Sequence, residues 1–428
     1  MSEQSAHLIR SVGFWGLAAM VFNGMVGAGV FALPGSVANE AGVWAPLIVL
    51  GVGVGLLPVV LAFASLSGMF DRTGGPIVYV GEAFGRVAGF QVGWLAILST
   101  VASAAANANL LADYALFAAP SAAHTPLMHT LVVLASLLLT LLVNLASASR
   151  SAGVLRLASV VKLAPLLWLL LMALPSAWGF AGVELAHWSP AKAALLAAYA
   201  FTGFEGGLTP AGEARNPKRD LPRAVIGVFL VVVLLYAALT WGYVAVAYQS
   251  KTISLAPLAR MGQILGGSVG LKVIFVGAVL SISANLISSG LFASRRLLAL
   301  EERGDLPRWF GWINPANGVP RNAVFFIVAV ATGLALSGGF AALAVLSVTA
   351  RMLVYLLSLA ALPVLRARHG LHRLSLDHLW VGLGGVTCAG LVIQSELKSW
   401  IGVGVALTVG LVILLMARQA RAAMAQTS

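Results

Sequence analysis

The sequence predicts an all-α integral membrane protein, and three observations support that prediction. Hydrophobic residues make up 60% of the 428 residues and charged residues only 9%, whereas a soluble domain contains about 25% charged residues. Apolar segments long enough to cross a bilayer recur along the whole chain. The loops between them are short, so we expect residues 1–428 to form one polytopic domain in the lipid bilayer of the inner or plasma membrane.

Twelve transmembrane helices are predicted, because twelve segments each contain about 20 mostly apolar residues. Their approximate bounds are 12–33, 46–70, 87–112, 128–147, 154–174, 191–208, 224–248, 270–292, 322–338, 341–365, 379–394 and 400–417. An even number of crossings places both termini on the same side of the membrane.

Basic residues are unevenly distributed between the two sides of this arrangement. With the N-terminus inside, about 19 of the 26 lysines and arginines fall on the inner side and about 5 on the outer side. Arg295 and Arg296, just after the eighth span, belong to the inner group. Because cytoplasmic loops carry such an excess, both termini are predicted to be cytoplasmic. The same excess accounts for the net charge of +12 without a nucleic-acid partner.

The composition argues against an enzyme. A membrane-embedded active site needs paired carboxylates, a metal-ligand set or a nucleophile with its base, and the few acidic residues lie mostly in loops. The single cysteine, Cys388, can form neither a disulfide nor a cysteine-based metal site within one chain. We therefore predict no catalytic activity, no metal and no cofactor.

The first span is interrupted by glycines at positions 24, 27 and 29, next to the polar Asn23. Each glycine weakens a helix by roughly 1 kcal/mol relative to alanine. Non-helical backbone at membrane depth is tolerated only where it lines a cavity or is buried in protein. The cluster therefore predicts an opened helix beside a binding site in the middle of the bilayer.

The sixth span has a similar interruption, because residues 199–213 contain a glycine cluster, a proline and acidic residues. The two broken spans are five apart and so cross in opposite directions. Two discontinuous helices in this relation indicate an inverted five-plus-five repeat. The predicted repeats are 12–174 and 191–365, followed by two additional helices at 379–417. Glycines that serve only close helix packing remain an alternative.

Four groups of Gly- and Pro-containing segments follow one another along the chain. They are 27–31 with Pro34; 73–85; 201–205 with 211–217 and 221–223; and 294–296 with 304–307 and 320–322. In this order and on these spans, they resemble the motifs of the amino acid–polyamine–organocation (APC) superfamily of permeases. The resemblance covers nearly the whole chain and implies a LeuT-like fold.

The resemblance implies a substrate site at the two breaks. Ala28 and Gly29 match positions at which the family binds the α-carboxylate of an amino acid through backbone N–H groups, at the positive end of a half-helix. The carbonyls of Met25, Tyr199 and Thr202 are candidates for the α-ammonium group, and Tyr199 also matches the aromatic gate over the substrate. The complete predicted set is Gly24, Met25, Gly27, Ala28, Gly29, Tyr199, Thr202, Gly203 and Phe204.

A proton-coupling role is implied for Lys162 in the fifth span. An ionisable side chain at membrane depth is a functional candidate by default. In proton-coupled relatives a lysine at the matching position points to the first and eighth helices, where sodium-driven relatives bind Na⁺. Lys162 is therefore predicted to gain and lose a proton, with Ser281 in the eighth span as a polar neighbour. A permanent ammonium that braces the helices is the alternative.

Two more charged residues fall within predicted spans. Glu205 is expected to hold the broken sixth helix or to take part in gating, with direct substrate binding as the lesser alternative. Arg351 in the tenth span stays charged and therefore needs an acceptor. We expect it to have a structural or cytoplasmic-gate role, with a partner that the sequence does not identify.

The predicted function is secondary active transport of neutral amino acids by alternating access with proton coupling. A cationic substrate is disfavoured because Glu205 is the one acidic side chain available to it. It is also disfavoured because Val101 is apolar where arginine-handling relatives place a polar residue. Amino acid exchange, export, and amine or polyamine transport remain alternatives. The oligomeric state, monomer or homodimer, is left open.

Overall fold

The structure, a computed structural model, is a bundle of helices. It describes residues 13–70, 75–146, 151–176, 188–208, 216–248, 254–315, 317–368 and 376–427. The first predicted repeat contains α1 (Phe14–Met25), α2 (Gly29–Ala41), α3 (Ala45–Met69), α4 (Pro76–Phe84), α5 (Arg86–Ala118), α6 (Pro126–Ala146) and α7 (Ser151–Ala173). The remainder contains α8 (Pro190–Phe201), α9 (Pro217–Val246), α10 (Pro257–Glu302), α11 (Arg321–Ser337), α12 (Phe340–Arg368), α13 (Leu376–Ile393) and α14 (Leu397–Thr427).

Every predicted span coincides with a helix or a pair of helix segments in the described part of the chain. Eight of these helices are long and apolar enough to cross a membrane, and three shorter apolar helices accompany them. The chain is thus a multi-pass membrane protein, while the count of twelve crossings stays a prediction. The predicted eighth span, 270–292, corresponds to the part of α10 that follows a break in the helix at Gly266 and Gly267. That part continues to Glu302, ten residues past the predicted end, because hydropathy marks only the apolar middle of a helix.

The first and sixth spans are both broken, as predicted. α1 ends at Met25 and α2 begins at Gly29, while α8 ends at Phe201 and a 3₁₀ turn follows over Phe204–Leu208. Between those two pieces Gly203 adopts a φ of +104°, a backbone conformation that favours glycine.

The two breaks cross each other in direct backbone contact. A Cβ atom placed on Gly24 would lie 2.8 Å from the carbonyl oxygen of Gly203, and one placed on Gly203 would lie 2.4 Å from that of Gly24. The glycines therefore serve both suggested purposes, since the helices open and also pack closely. This crossing fixes the broken ends in the interior, where the most buried long helices, α5 and α12, pack around them.

Candidate functional site

A cavity of about 580 Å³ lies where the two breaks meet. It is bounded by segments of α1, α2, α5, α8, α10 and α12. Its wall is rich in polar side chains and backbone from the breaks, including Asn23, Gly24, Met25, Gly27, Ala28, Gly29, Thr100, Ser103, Asn107, Tyr199, Thr202, Gly203, Glu205, Asn285, Ser288, Arg295, Arg296 and Arg351. All the predicted substrate-site residues except Phe204 line it.

The N-terminus of α2 faces this cavity with unused donors. In the described residues, the amide N–H groups of Ala28 and Gly29 have no hydrogen-bond acceptor; the first amide bonded within the helix is that of Phe31, to Ala28 O. Unpaired amides and the helix dipole together favour an anion at such a helix end. A substituent on Gly29 would press against Ala200 at 3.0 Å, and one on Gly27 would meet the Asn285 amide at 2.6 Å. The absence of side chains keeps this end open.

The carbonyl groups that were predicted to bind the α-ammonium are already engaged. Met25 O accepts hydrogen bonds from the Tyr236 hydroxyl at 3.1 Å and from the Gly27 amide at 3.0 Å. Tyr199 O accepts from the Thr202 hydroxyl at 2.7 Å and from the Thr202 amide at 3.2 Å. Because a carbonyl has two acceptor sites, neither carbonyl has a vacant site for an α-ammonium group in this conformation, and their role as substrate ligands stays a prediction.

Tyr199 spans the cavity and ties α8 to α5. Its hydroxyl donates to Asn107 Oδ1 at 2.9 Å and lies 3.0 Å from Ser103 Oγ. Asn107 in turn donates to Asn285 Oδ1 on α10 at 2.8 Å. The Tyr199 ring packs edge-on against Phe340 at the start of α12. The ring thus connects the cavity wall to the start of α12, and the gate role of Tyr199 stays a prediction.

Phe204 does not line the cavity, unlike the other predicted substrate-site residues, and its part in substrate binding stays a prediction. Its side chain is fully buried in an aromatic cluster with Phe63, Phe229 and Tyr355. The 3₁₀ turn that begins at Phe204 directs this ring away from the cavity and into the core. The cluster anchors the inner piece of the sixth span.

Glu205 and Arg351 form a buried ion pair beside the second break. Arg351 Nη1 lies 3.1 Å from Glu205 Oε1, and Arg351 Nε donates to Ser99 Oγ on α5 at 2.7 Å. The other carboxylate oxygen accepts from the Tyr355 hydroxyl at 2.6 Å and from the Gly203 amide at 3.1 Å. The unidentified partner of Arg351 is therefore Glu205, and the pair joins α12 and α5 to the broken sixth span.

Lys162 holds the first break from the side of α7. Its ammonium donates to Asn23 Oδ1 at 2.5 Å and to Val26 O at 3.1 Å, and the side chain is 1% exposed. No carboxylate of the described residues lies within ion-pair distance of it. Ser281, expected as a polar neighbour, is not hydrogen-bonded to Lys162: its buried hydroxyl has no hydrogen-bond partner in the described residues. Lys162 therefore contacts the first span but is not hydrogen-bonded to the eighth.

Several site residues were not anticipated. Arg296 was assigned to the inner loops, because the eighth span was predicted to end at 292, yet it lies on α10 and lines the cavity. The polar residues of α5 could have been found from the sequence, because Ser99, Ser103 and Asn107 recur at helical spacing on one face of an otherwise apolar span.

The comparisons with known proteins agree with this architecture. Residues 12–422 match the family model described as amino acid permease. The chain belongs to the amino acid permease family. This permease is 25% identical over 381 residues to the serine/threonine exchanger SteT of Bacillus subtilis, covering 86% of each chain. It is also 25% identical over 380 residues to the branched-chain amino acid permease BcaP of Lactococcus lactis, covering 81% of this chain and 80% of BcaP.

Among solved structures, this permease is similar to Mhp1, a nucleobase-cation-symport-1 family transporter, in a closed conformation with bromovinylhydantoin bound. The TM-score is 0.60 at 14% sequence identity, over 98% of this chain and 96% of Mhp1. At that identity the likeness supports the fold alone. The family and these relatives confirm the resemblance to APC permeases, and they support amino acid transport as the activity of the chain.

Proposed function

We propose that this permease is a secondary active transporter that moves amino acids across the membrane by alternating access, coupled to protons. The observation that carries the proposal is the pair of unpaired amides, Ala28 and Gly29, at the positive end of α2 in the central cavity. They suit a carboxylate, which every amino acid has. The α-ammonium group would then face the polar side chains of the same wall, since the carbonyls of Met25 and Tyr199 are occupied.

The charge of the cavity favours substrates without a cationic side chain, and it does not restrict them to the neutral class predicted from the sequence. Three guanidinium groups line the cavity, those of Arg295, Arg296 and Arg351. Glu205 is the one carboxylate in the described part of the wall, and Arg351 already pairs with it. Placing a like charge near these groups is unfavourable. This disfavours amines and polyamines as well as lysine and arginine.

Lys162 supports the proton-coupling part of the proposal. Its ammonium bridges α7 to the end of α1 through Asn23 and Val26. Because these partners are neutral oxygen atoms, the proton can leave without stranding a buried carboxylate. Loss of the proton removes the charge from two hydrogen bonds that hold the break next to the substrate amides. Protonation and the geometry of the α2 N-terminus are linked in this way.

Exchange of one amino acid for another is a second candidate, favoured by the similarity to the exchanger SteT. The two modes differ in what drives accumulation. In a symporter, a proton gradient concentrates substrate in vesicles that are empty at the start. In an exchanger, uptake requires a counter-substrate inside and does not respond to the gradient.

The test is a thermal-shift screen of the twenty amino acids and common polyamines on the purified protein, followed by uptake into proteoliposomes. We expect stabilisation by one or more amino acids without a cationic side chain, and accumulation driven by an inward proton gradient. No stabilisation by any amino acid, together with no uptake, would contradict the proposal. Uptake that depends only on internal counter-substrate would replace symport with exchange.

A further inference from the structure

Arg296 presents to the central cavity a guanidinium that forms no ion pair with any of the described residues. Its Nη1 atom donates to Thr100 Oγ1 at 2.8 Å and to Ala96 O at 3.3 Å, which fixes the group against α5. No carboxylate of the described residues lies within ion-pair distance of it. Both of these hydrogen-bond acceptors are neutral, so they orient the guanidinium of Arg296 without forming an ion pair with it.

Glu205, the one described carboxylate of the wall, attracts Arg296 electrostatically but is also held by Arg351, Tyr355 and the Gly203 amide. One negative charge is thus shared between two guanidinium groups, which leaves an excess of positive charge in the described part of the wall. Arg295, the next residue along, adds a further positive charge near the same wall. A charged group at membrane depth is costly unless it is paired or hydrated. When the cavity closes around its substrate, Arg296 loses water and needs an anion.

The position of Arg296 along α5 relates it to the amino acid backbone site. Tyr199 is hydrogen-bonded to Ser103 and Asn107 of α5. Arg296 is hydrogen-bonded to Ala96 and Thr100 of the same helix. At 1.5 Å of rise per residue, Thr100 lies about 5 Å from Ser103 and about 10 Å from Asn107 along the helix axis. The guanidinium is thus anchored one to two helical turns from the residues that hold Tyr199, on the same cavity wall.

We propose that Arg296 binds the side chain of the substrate and that the preferred substrates are amino acids with an acidic side chain, aspartate and glutamate. This inference rests on the proposed function and names its substrate class. The α-carboxylate binds the amides of Ala28 and Gly29, and the side-chain carboxylate pairs with the guanidinium of Arg296. Arg296 is a specificity-determining residue, because the other contacts serve groups that all amino acids share.

The experiment compares isosteric pairs on purified protein and in proteoliposomes: glutamate against glutamine, and aspartate against asparagine. Each pair differs in one charge and hardly in shape. A charge-assisted hydrogen bond to a buried guanidinium corresponds to a preference of about tenfold or more. We therefore expect the wild-type protein to bind and transport the acid at least tenfold better than its amide. Equal or better binding of the amide would overturn the inference while leaving amino acid transport intact.

Two variants assign the preference to Arg296. Arg296→Gln is expected to remove the preference for the acid, and Thr100→Val is expected to reduce it by freeing the guanidinium from α5. Arg308→Gln is the matched control, since Arg308 carries the same charge in the 3₁₀ turn Arg308–Gly311 and does not line the cavity. A preference that persists in both variants would overturn the role of Arg296. A protein that binds no amino acid at all would instead contradict the proposed function.

Discussion

Glu205 and Arg351 meet at 3.1 Å in the interior of the bundle, and their pairing ties the broken sixth span to α12. Lys162 has a corresponding place at the first break, on the fifth span of the first predicted repeat, while Arg351 lies on the fifth span of the second. In each case a cation from the last helix of the repeat supports the break in its first helix. The opened backbone is thus supported by charged side chains at both breaks.

Breaking the buried ion pair is expected to destabilise the protein strongly. Glu205→Gln or Arg351→Gln leaves one charge unpaired in a membrane interior, at a cost of about 3–5 kcal/mol. The double variant removes both charges and should recover part of the loss. Thermal denaturation in detergent of the wild type, the two single variants and the double variant measures the coupling energy between the two residues. Tyr355→Phe, which removes one hydrogen bond to Glu205 and no charge, is the control. Additive effects of the two single substitutions would contradict the pairing.

Lys162→Gln is expected to abolish the dependence of uptake on a proton gradient while leaving amino acid binding within a few-fold of wild type. Glutamine keeps a donor for Asn23 or Val26 but has no proton to exchange. Uptake into proteoliposomes with and without an imposed gradient measures the change. Lys192→Gln is the matched control, because Lys192 is partly exposed and pairs with Glu40 at 2.7 Å, away from the cavity. Proton-driven accumulation that persists in Lys162→Gln would remove Lys162 from the coupling mechanism.

A methyl group at the crossing of the two breaks is expected to disrupt substrate binding. In Gly24→Ala the new carbon would lie 2.8 Å from Gly203 O, so the breaks must separate and the α2 amides must move. Gly51→Ala is the control, because nothing lies within 4 Å of the added carbon in α3. Isothermal binding measurements should show at least a tenfold loss of affinity for Gly24→Ala and no loss for Gly51→Ala. Equal affinities would show that the close crossing is not needed for the site.

Tyr199→Phe and Tyr199→Ala separate the two contributions of this residue. Phenylalanine keeps the ring against Phe340 and loses the hydrogen bonds to Asn107 and Ser103. Alanine loses both and leaves one end of the cavity uncovered. We expect substrate dissociation to be faster in both variants and fastest in Tyr199→Ala, as measured by release of labelled substrate from the purified protein. Unchanged release from Tyr199→Ala would mean that Tyr199 is not a gate.

The sequence predicts the helices well because an apolar segment of about 20 residues has few alternatives in a bilayer. It also predicts where the first and sixth spans open, because glycine clusters and polar residues within an apolar run are unfavourable for an unbroken helix. The sequence does not predict which side chains from distant parts of the chain come into contact. Tyr355 is 150 residues from Glu205 in the chain, and their contact depends on how the repeats pack.

The differences between the predicted and the observed contacts have equally local causes. Phe204 is adjacent to the break, but the 3₁₀ turn rotates its ring into the core. The carbonyls of Met25 and Tyr199 are released from their helices, yet Tyr236 and Thr202 bind them. Arg296 resembles a loop residue by hydropathy alone, because the helix continues past the end of its apolar stretch.

The central claim is that the amides of Ala28 and Gly29 bind the carboxylate of an amino acid substrate. The most direct measurement compares an amino acid that the protein transports with its α-carboxamide, which keeps the side chain and the amino group but lacks the anion. We predict that the α-carboxamide neither binds nor competes for uptake at concentrations a hundredfold above the KM of the amino acid. Competition by the α-carboxamide at an affinity within a few-fold of the free amino acid would contradict the account.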